Sequence, residues 1–449
     1  MKFTKMNKIF RSILVIFLTC SPGLVHSEEE AMLPTPDYSG DLLTRSTLTG
    51  DWNGSRKKLA ENGLHLDFRV VTTYQNLFDG GIKEHDGFVS TQDLVIQLDT
   101  GKAGLWPGGL LKLRVESRVG EAVDGISTGA LSPVNNDALI PNDSNNINDE
   151  TIGLTEVVFT QFLSPQFGIV GGLLNTLDGD TNELVGNPRS DAHFLNSSFL
   201  YSLVEATTSP TVTLGGGMIF IPNDSIIGSI LAFDTEESAT HNPFDTSKGT
   251  TVATEWNFKY SLGELPGAQT AGFLYAFDNE FTTYGNDPRS TIPELIRGNG
   301  LPQKSESWAF YHNAHQYLQW DDGKGWGIFT RFGIADRETN PIDWTAAAGI
   351  SGEGVFNIRP NDSFGLGYYH IEPTDSPLFK FLDINEENGF EIWYNAEVTP
   401  WFHVTADLQI IDTALDNPGV GTIPPGSISL ALPESHTAWI FGLRTELNF

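Results

Sequence analysis

Apolar residues return at every second position through most of this chain, and that period restricts it to strands with two unlike faces. Leu64, Leu66, Phe68 and Val70 alternate with His65, Asp67 and Arg69. Leu111, Leu113 and Val115 oppose Lys112, Arg114, Glu116 and Arg118, and Phe402, Val404, Ala406, Leu408 and Ile410 oppose His403, Thr405, Asp407 and Gln409. Side chains alternate across a strand, so each such run has one apolar and one polar face. In a soluble sandwich the apolar face packs on a second sheet. In a membrane barrel it meets lipid while the polar face lines water. Alternation alone leaves both open.

The connections separate them. Strand candidates start near residues 64, 89, 110, 152, 166, 211, 226, 252, 270, 307, 325, 343, 363, 389, 402 and 436. Their linkers mostly alternate in length. Asp79–Phe88, Gly120–Thr151, Thr176–Pro210, Asp234–Thr251, Asn279–Glu306, Thr374–Asn388 and Asp412–Ser435 are long and polar. Between them fall tight connections such as Ser164-Pro165, Pro222-Asn223-Asp224, Arg359-Pro360-Asn361-Asp362 and Thr399-Pro400-Trp401. Asp336–Ile342 is short where a long linker is expected. An even strand number with long loops on one side and short turns on the other predicts a transmembrane antiparallel β-barrel of about 16 strands, an all-β fold. A sandwich has no reason to sort its loops by parity.

Composition narrows the function. Lys and Arg number 26 against 57 Asp and Glu, for a net charge of −31, so nucleic acid is excluded as a partner. Cys20 is the single cysteine, which excludes a disulfide framework and a Cys-ligated metal. After the first 25 residues no apolar run approaches the roughly 18–20 that a spanning helix needs. The start reads as an export signal: Lys2, Lys5, Lys8 and Arg11 precede an apolar core, Ile13 to Thr19, and Val25-His26-Ser27 suits cleavage. The expected organisation is a signal peptide over 1–27, a periplasmic segment with a short helix over 28–63, and the barrel over 64–449. In the middle segment Asp51 is placed to cap, Trp52, Leu59 and Ala60 give a partial apolar stripe, and Gly63 terminates.

Enzyme signatures mostly fail, although the paired carboxylates of a glycosidase leave no mark in sequence. Gly125-Ile126-Ser127-Thr128-Gly129 matches the G-x-S-x-G pattern without the strand–turn–helix context it requires. Asp178-Gly179-Asp180-Thr181-Asn182-Glu183 spaces carboxylates as a calcium loop does, but Glu183 stands at position six and Arg189 at position twelve. No catalytic residue, cofactor or metal is expected. Gly120 to Glu150 carries six carboxylates and no Lys or Arg, a surface loop that disfavours anions at a channel mouth.

Three segments carry a family resemblance. Thr49-Gly50-Asp51-Trp52-Asn53-Gly54-Ser55-Arg56, with Leu59 and Gly63, resembles the opening motif of carbohydrate-selective porins of the OprB type. Phe390 through Phe402, followed by Thr405 and Asp407-Leu408-Gln409, is similar to that family's next-to-last hairpin, and Gly442-Leu443-Arg444 through Phe449 to its last strand. The resemblance implies a sixteen-stranded barrel in the bacterial outer membrane with a short N-terminal helix near its periplasmic mouth, passing mono- or oligosaccharides by diffusion. A closing strand that ends in Phe449 also resembles the signal read by the barrel assembly machinery, and the apolar faces would meet outer-membrane lipids. The competing reading is an exported soluble β-protein that binds or hydrolyses polysaccharide.

A sugar hydroxyl both donates and accepts, so a sugar path needs cationic donors beside carboxylate acceptors and a ring for the apolar sugar face. The pore-lining candidates on that ground are Arg69, Lys112, Arg114, Glu116 and Arg118, then Glu391, Trp393, Asn395 and Glu397 with Asp407 and Gln409.

Overall fold

The computed structural model describes residues 32–449 apart from 142–150, 188, 190–191, 241, 243, 245–247, 286–296, 322, 356–357, 383, 416–419, 424–427 and 432–434. The expected signal over 1–27 lies outside the described residues. Sixteen strands form one closed antiparallel barrel: β1 (Leu64–Gly81), β2 (His85–Asp99), β3 (Gly109–Glu121), β4 (Thr151–Ser164), β5 (Phe167–Asn175), β6 (Val212–Asn223), β7 (Ile226–Asp234), β8 (Thr250–Leu262), β9 (Leu265–Phe277), β10 (Ser307–Asp321), β11 (Lys324–Ala335), β12 (Ile342–Glu353), β13 (Ser363–Pro373), β14 (Glu387–Thr399), β15 (Phe402–Asp412) and β16 (His436–Asn448). Each strand pairs with the next. β16 then closes on β1, from Arg69↔Asn448 to Gly81↔His436, so the barrel itself has no open edge.

Two strand starts move. β2 begins at His85 instead of near 89, and β9 at Leu265 instead of near 270. The expected long loop over Asp79–Phe88 is therefore a tight turn over residues 82–84, with Leu77 paired to His85. Gly80 and Gly81, at φ 70° and 64°, turn the chain there, and the ladder extends through polar residues that no apolar face demands. The short Asp336–Ile342 linker is observed as such, between β11 and β12.

The outer face holds Phe68, Leu94, Ile152, Met218, Ile230, Phe273, Ile328, Phe390, Phe441 and Leu443, all exposed. Rings gather toward both rims, with Phe167 and Phe220 5.5 Å apart near the short turns and Phe78 and Trp439 6.5 Å apart near the long loops. Among the described residues no second sheet covers an apolar band of this extent, which disfavours the soluble alternative.

Residues 176–211, between β5 and β6, fold into the barrel instead of outward. Their Leu184, Val185, Phe194, Phe199, Leu200 and Val204 are all at 2% exposure or less and pack on Tyr311, Phe329, Tyr369 and Trp393 of the wall. Glycines make the room. A Cβ at Gly367 would sit 2.4 Å from the Phe199 ring, and one at Gly333 would overlap Ser202. Residues 122–141, expected as part of a surface loop, instead follow the first loop inward, with Val123, Val134 and Asn135 to Ala138 buried, and Asn136 N–H donates to the Leu195 carbonyl at 2.9 Å.

At the short-turn rim, helix α1 (Ser55–Glu61) closes the N-terminal segment. Arg56 is buried, lies over the Tyr38 and Trp52 rings at 4.3 and 5.1 Å, and donates to the Leu66 carbonyl at 2.6 Å. Leu48 N–H donates to the Asn448 carbonyl at 2.7 Å, tying the segment to the closing strand.

Candidate functional site: an ion ladder in the lumen

Polar positions of β1 to β4 point inward at successive strands, and the loop over 176–211 lies against them. Arg69 Nη2 is 3.3 Å from Asp93 Oδ2, and Arg114 Nε is 3.3 Å from Asp93 Oδ1. Arg114 Nη1 continues to Asp178 Oδ1 at 3.3 Å. Lys112 Nζ lies between Asp178 Oδ2 at 2.6 Å and Glu156 Oε2 at 2.9 Å. Arg189 Nε meets Asp178 Oδ1 at 3.2 Å, while its two terminal nitrogens engage both oxygens of Glu116. Four cations thus alternate with four carboxylates. The side chains of Asp178, Arg69 and Lys112 keep 35%, 28% and 20% of their surface open. A small recess opens among Arg69, Asp93, Glu116 and Arg189.

The electrostatics hold the two loop members of the ladder, Asp178 and Arg189, charged. Burial pushes the Asp178 carboxyl up, but Lys112, Arg189 and Arg114 outweigh it and keep the group below the ordinary carboxylate range. Burial would discharge Arg189, yet Glu116 and Asp178 hold it above its usual value. On the far side of the loop Asp180 accepts from Arg331 and Asn313 of the opposite wall. The segment 178–180 therefore spans from one wall to the other. Asp178 and Asp180, which share the spacing of a calcium loop, both pair with cationic side chains here.

The remaining candidates hold loops or strands. Glu391 is fully buried and accepts the N–H groups of Leu195 at 2.6 Å and Asn196 at 3.0 Å. Gln409 donates to the Val134 carbonyl at 2.9 Å and to Asp407 at 3.0 Å, and Arg118 donates to the Ala138 carbonyl. Trp393 places its ring 5.7 Å from Phe194 and from His193, whose imidazole burial drives down to about 4. Asn395 donates to Thr405 at 2.8 Å, and Glu397 accepts from Asn361 at 2.6 Å near the short turns. Arg69, Lys112, Arg114 and Glu116 are thus brought together, and the other seven are not part of that ladder. Period two marks neither Asp93 nor Glu156 above other inward carboxylates. Nothing local shows that Arg189 returns to the wall.

The model of the OprB carbohydrate-selective porin family matches residues 91–449. The chain belongs to that family. Porin B of Pseudomonas aeruginosa is 26% identical to this porin over 189 residues, 37% of this chain and 41% of that protein. The putative porin QuiX of Acinetobacter baylyi is 22% identical over 442 residues, 90% of this chain and 93% of its own length. The high-pH structure of Pseudomonas putida OprB superposes with a TM-score of 0.75 at 20% identity, covering 91% of this chain and 99% of that one. The low-pH structure of the same protein gives 0.56 at 16% identity and the same coverage. Family and barrel place this porin in the bacterial outer membrane and point to a channel rather than an enzyme.

Proposed function

We propose that this porin passes neutral carbohydrates by diffusion and that the ladder of Arg69, Asp93, Arg114, Lys112 and Asp178 is where they are selected. The supporting observation is the alternation of cations and carboxylates, partly open to the lumen, on a loop-narrowed wall. A hydroxyl passing along it finds a donor and an acceptor within one step of each other. Because the charges balance locally, the ladder does not demand a charged solute. Every contact is shared between neighbours already paired, so each binding event is weak, as flow requires. Glu391, Trp393, Gln409 and Arg118 support the path by fixing the two inward loops. The outer band contacts lipid, and Phe449 serves the assembly machinery.

Single-channel recording in planar bilayers tests this. Glucose or a maltooligosaccharide should interrupt the ion current of the wild type. Arg114→Ala and Asp178→Asn should each weaken that block while the barrel still runs heat-modified on a gel. Unchanged block in both variants would place selection elsewhere.

A further inference from the structure

We infer that this porin has a second carbohydrate subsite, built on Trp320 and Tyr317 at the short-turn mouth of the lumen. The inference rests on sugar passage and adds a place where the sugar leaves the constriction.

The observation begins with a break in β10. Inward positions run Asn313, His315 and Tyr317, and a register shift follows between Tyr317 and Gln319. Strict alternation would turn Trp320 outward. The extra residue, Leu318, is exposed instead, and Trp320 pairs with Gly325 on the same face as Tyr317 opposite Gly327. The two rings meet edge to face with centroids 4.4 Å apart. A bulge of this kind re-aims one side chain. Here it brings an indole into the lumen that the pleat would have sent to the lipid boundary.

The surroundings suit a sugar. Gly325 and Gly327 opposite these rings carry no side chain, so the wall beside them is flat. Tyr317 is buried and supports the pair, whereas Trp320 keeps 37% of its surface open. Acceptors stand close by. Glu183 lies 3.5 Å from His315 Nε2, whose ring is 5.8 Å from that of Tyr317, and Glu353 lies 3.9 Å from Lys324 Nζ, next to Gly325. Both carboxylates are largely open, at 51% and 43%. A ring face for the apolar side of a pyranose, with carboxylates beside it for the hydroxyls, is the combination a carbohydrate site needs.

Depth separates this patch from the ladder. The inward loop touches β10 from Asn313 to His315, through Asn182 and Glu183. Trp320 lies roughly 13 Å further along the strand toward the short turns. It also stands on β10, across the barrel from the ladder on β1 to β4. A sugar released past the loop on the side of the short turns would meet this wall next.

Planar-bilayer recording of the full-length porin with maltotriose in both chambers tests the subsite. Trp320→Ala should weaken maltotriose block by roughly 2- to 12-fold, the range expected for one lost ring contact. Trp320→Phe should restore most of it. Neither change should alter conductance or the reversal potential in sugar-free salt, because the charged ladder is untouched. Wild-type block with an identical Trp320→Ala titration would overturn the subsite and leave the ladder standing. A wild type that no sugar interrupts would overturn both.

Discussion

Arg189, on the loop that enters the lumen, makes a two-pronged pair with Glu116 on the wall of β3, Nη2 standing 3.2 Å from Oε2 while Nη1 engages Oε1. Both side chains are nearly fully buried, at 6% and 5% exposure, and the pair joins residues far apart in the chain. The contact ties the loop to the wall of β3 beside the ladder.

Glu116→Ala leaves the Arg189 guanidinium buried with Asp178 as its remaining partner. Breaking a buried pair on one side costs about 3–5 kcal/mol, and Asp178 should hold the effect near the lower end. The expected result is a lower unfolding midpoint on a heat-modification gel together with larger, noisier single-channel conductance. A variant with wild-type conductance would show that the loop is held without this pair.

Asp178→Asn should shift ion selectivity toward anions, since Lys112, Arg114 and Arg189 would lose their shared carboxylate. The pH dependence has a definite sign. A carboxyl held below its ordinary value of 3.8 contributes its charge and its stabilisation above that value, and both are lost only as pH falls through the depressed native value. Reversal potentials measured from pH 7 to pH 4 should therefore keep the contribution of Asp178, with its loss confined to more acidic solution. The Asn variant should lack that acid-limb change.

The barrel was legible because its signal is repeated sixteen times. The faces of Leu111 to Arg118 and of Phe402 to Ile410 follow from pleating alone. The inward loops were not legible in the same way. Phe194, Phe199 and Leu200 are apolar residues without a period, and only the barrel around them shows that they pack on Phe329 and Tyr369. For the same reason Glu391 and Gln409 read as pore-lining polar residues. Each faces the lumen, as alternation requires, but a loop already occupies the space in front of it. Asp178 and Arg189 stand in the segment first weighed as a calcium loop, and their partners lie tens of residues away.

Glu205 sits where the inward loop meets the far wall, with Asp180 and Glu255 for neighbours. Burial, then those two carboxylates, push its carboxyl well above the usual 4.5. A raised native value means that the folded state binds the proton more tightly than the unfolded chain. Stability should thus rise as pH falls from neutral toward the ordinary carboxylate range. Glu205→Gln, which mimics the protonated form, should be at least as stable as wild type at pH 8 and should flatten this part of the profile in a denaturation series. A clear loss of stability at pH 8 would contradict it.

Leu443 faces outward near the middle of β16 and is exposed at 41%. Placing Arg there should cost about 2–4 kcal/mol if lipid covers that face. The check is folding into lipid vesicles across a urea series, with Thr445→Ala as a mild substitution on the same face. An Arg variant that folds as the wild type does would mean that the outer band is not lipid-covered at that depth.

Phe449 follows β16 on the outer face, beside the start of β1. Its N–H donates to the Phe68 carbonyl at 2.8 Å, and the two rings lie 5.3 Å apart. Phe449→Ser keeps the backbone bond and removes the ring contact, worth about 0.5–1.5 kcal/mol beyond buried area. A loss of that size leaves a closed barrel stable, because the ladder between β16 and β1 runs through ten further residue pairs from Val70↔Leu447 to Gly81↔His436. Purified protein refolded in detergent should accordingly melt within a few degrees of wild type. Folded porin in the outer membrane of cells should nonetheless fall severalfold if the assembly machinery reads the terminal ring. Equal levels in both settings would reduce Phe449 to one more aromatic at the lipid boundary.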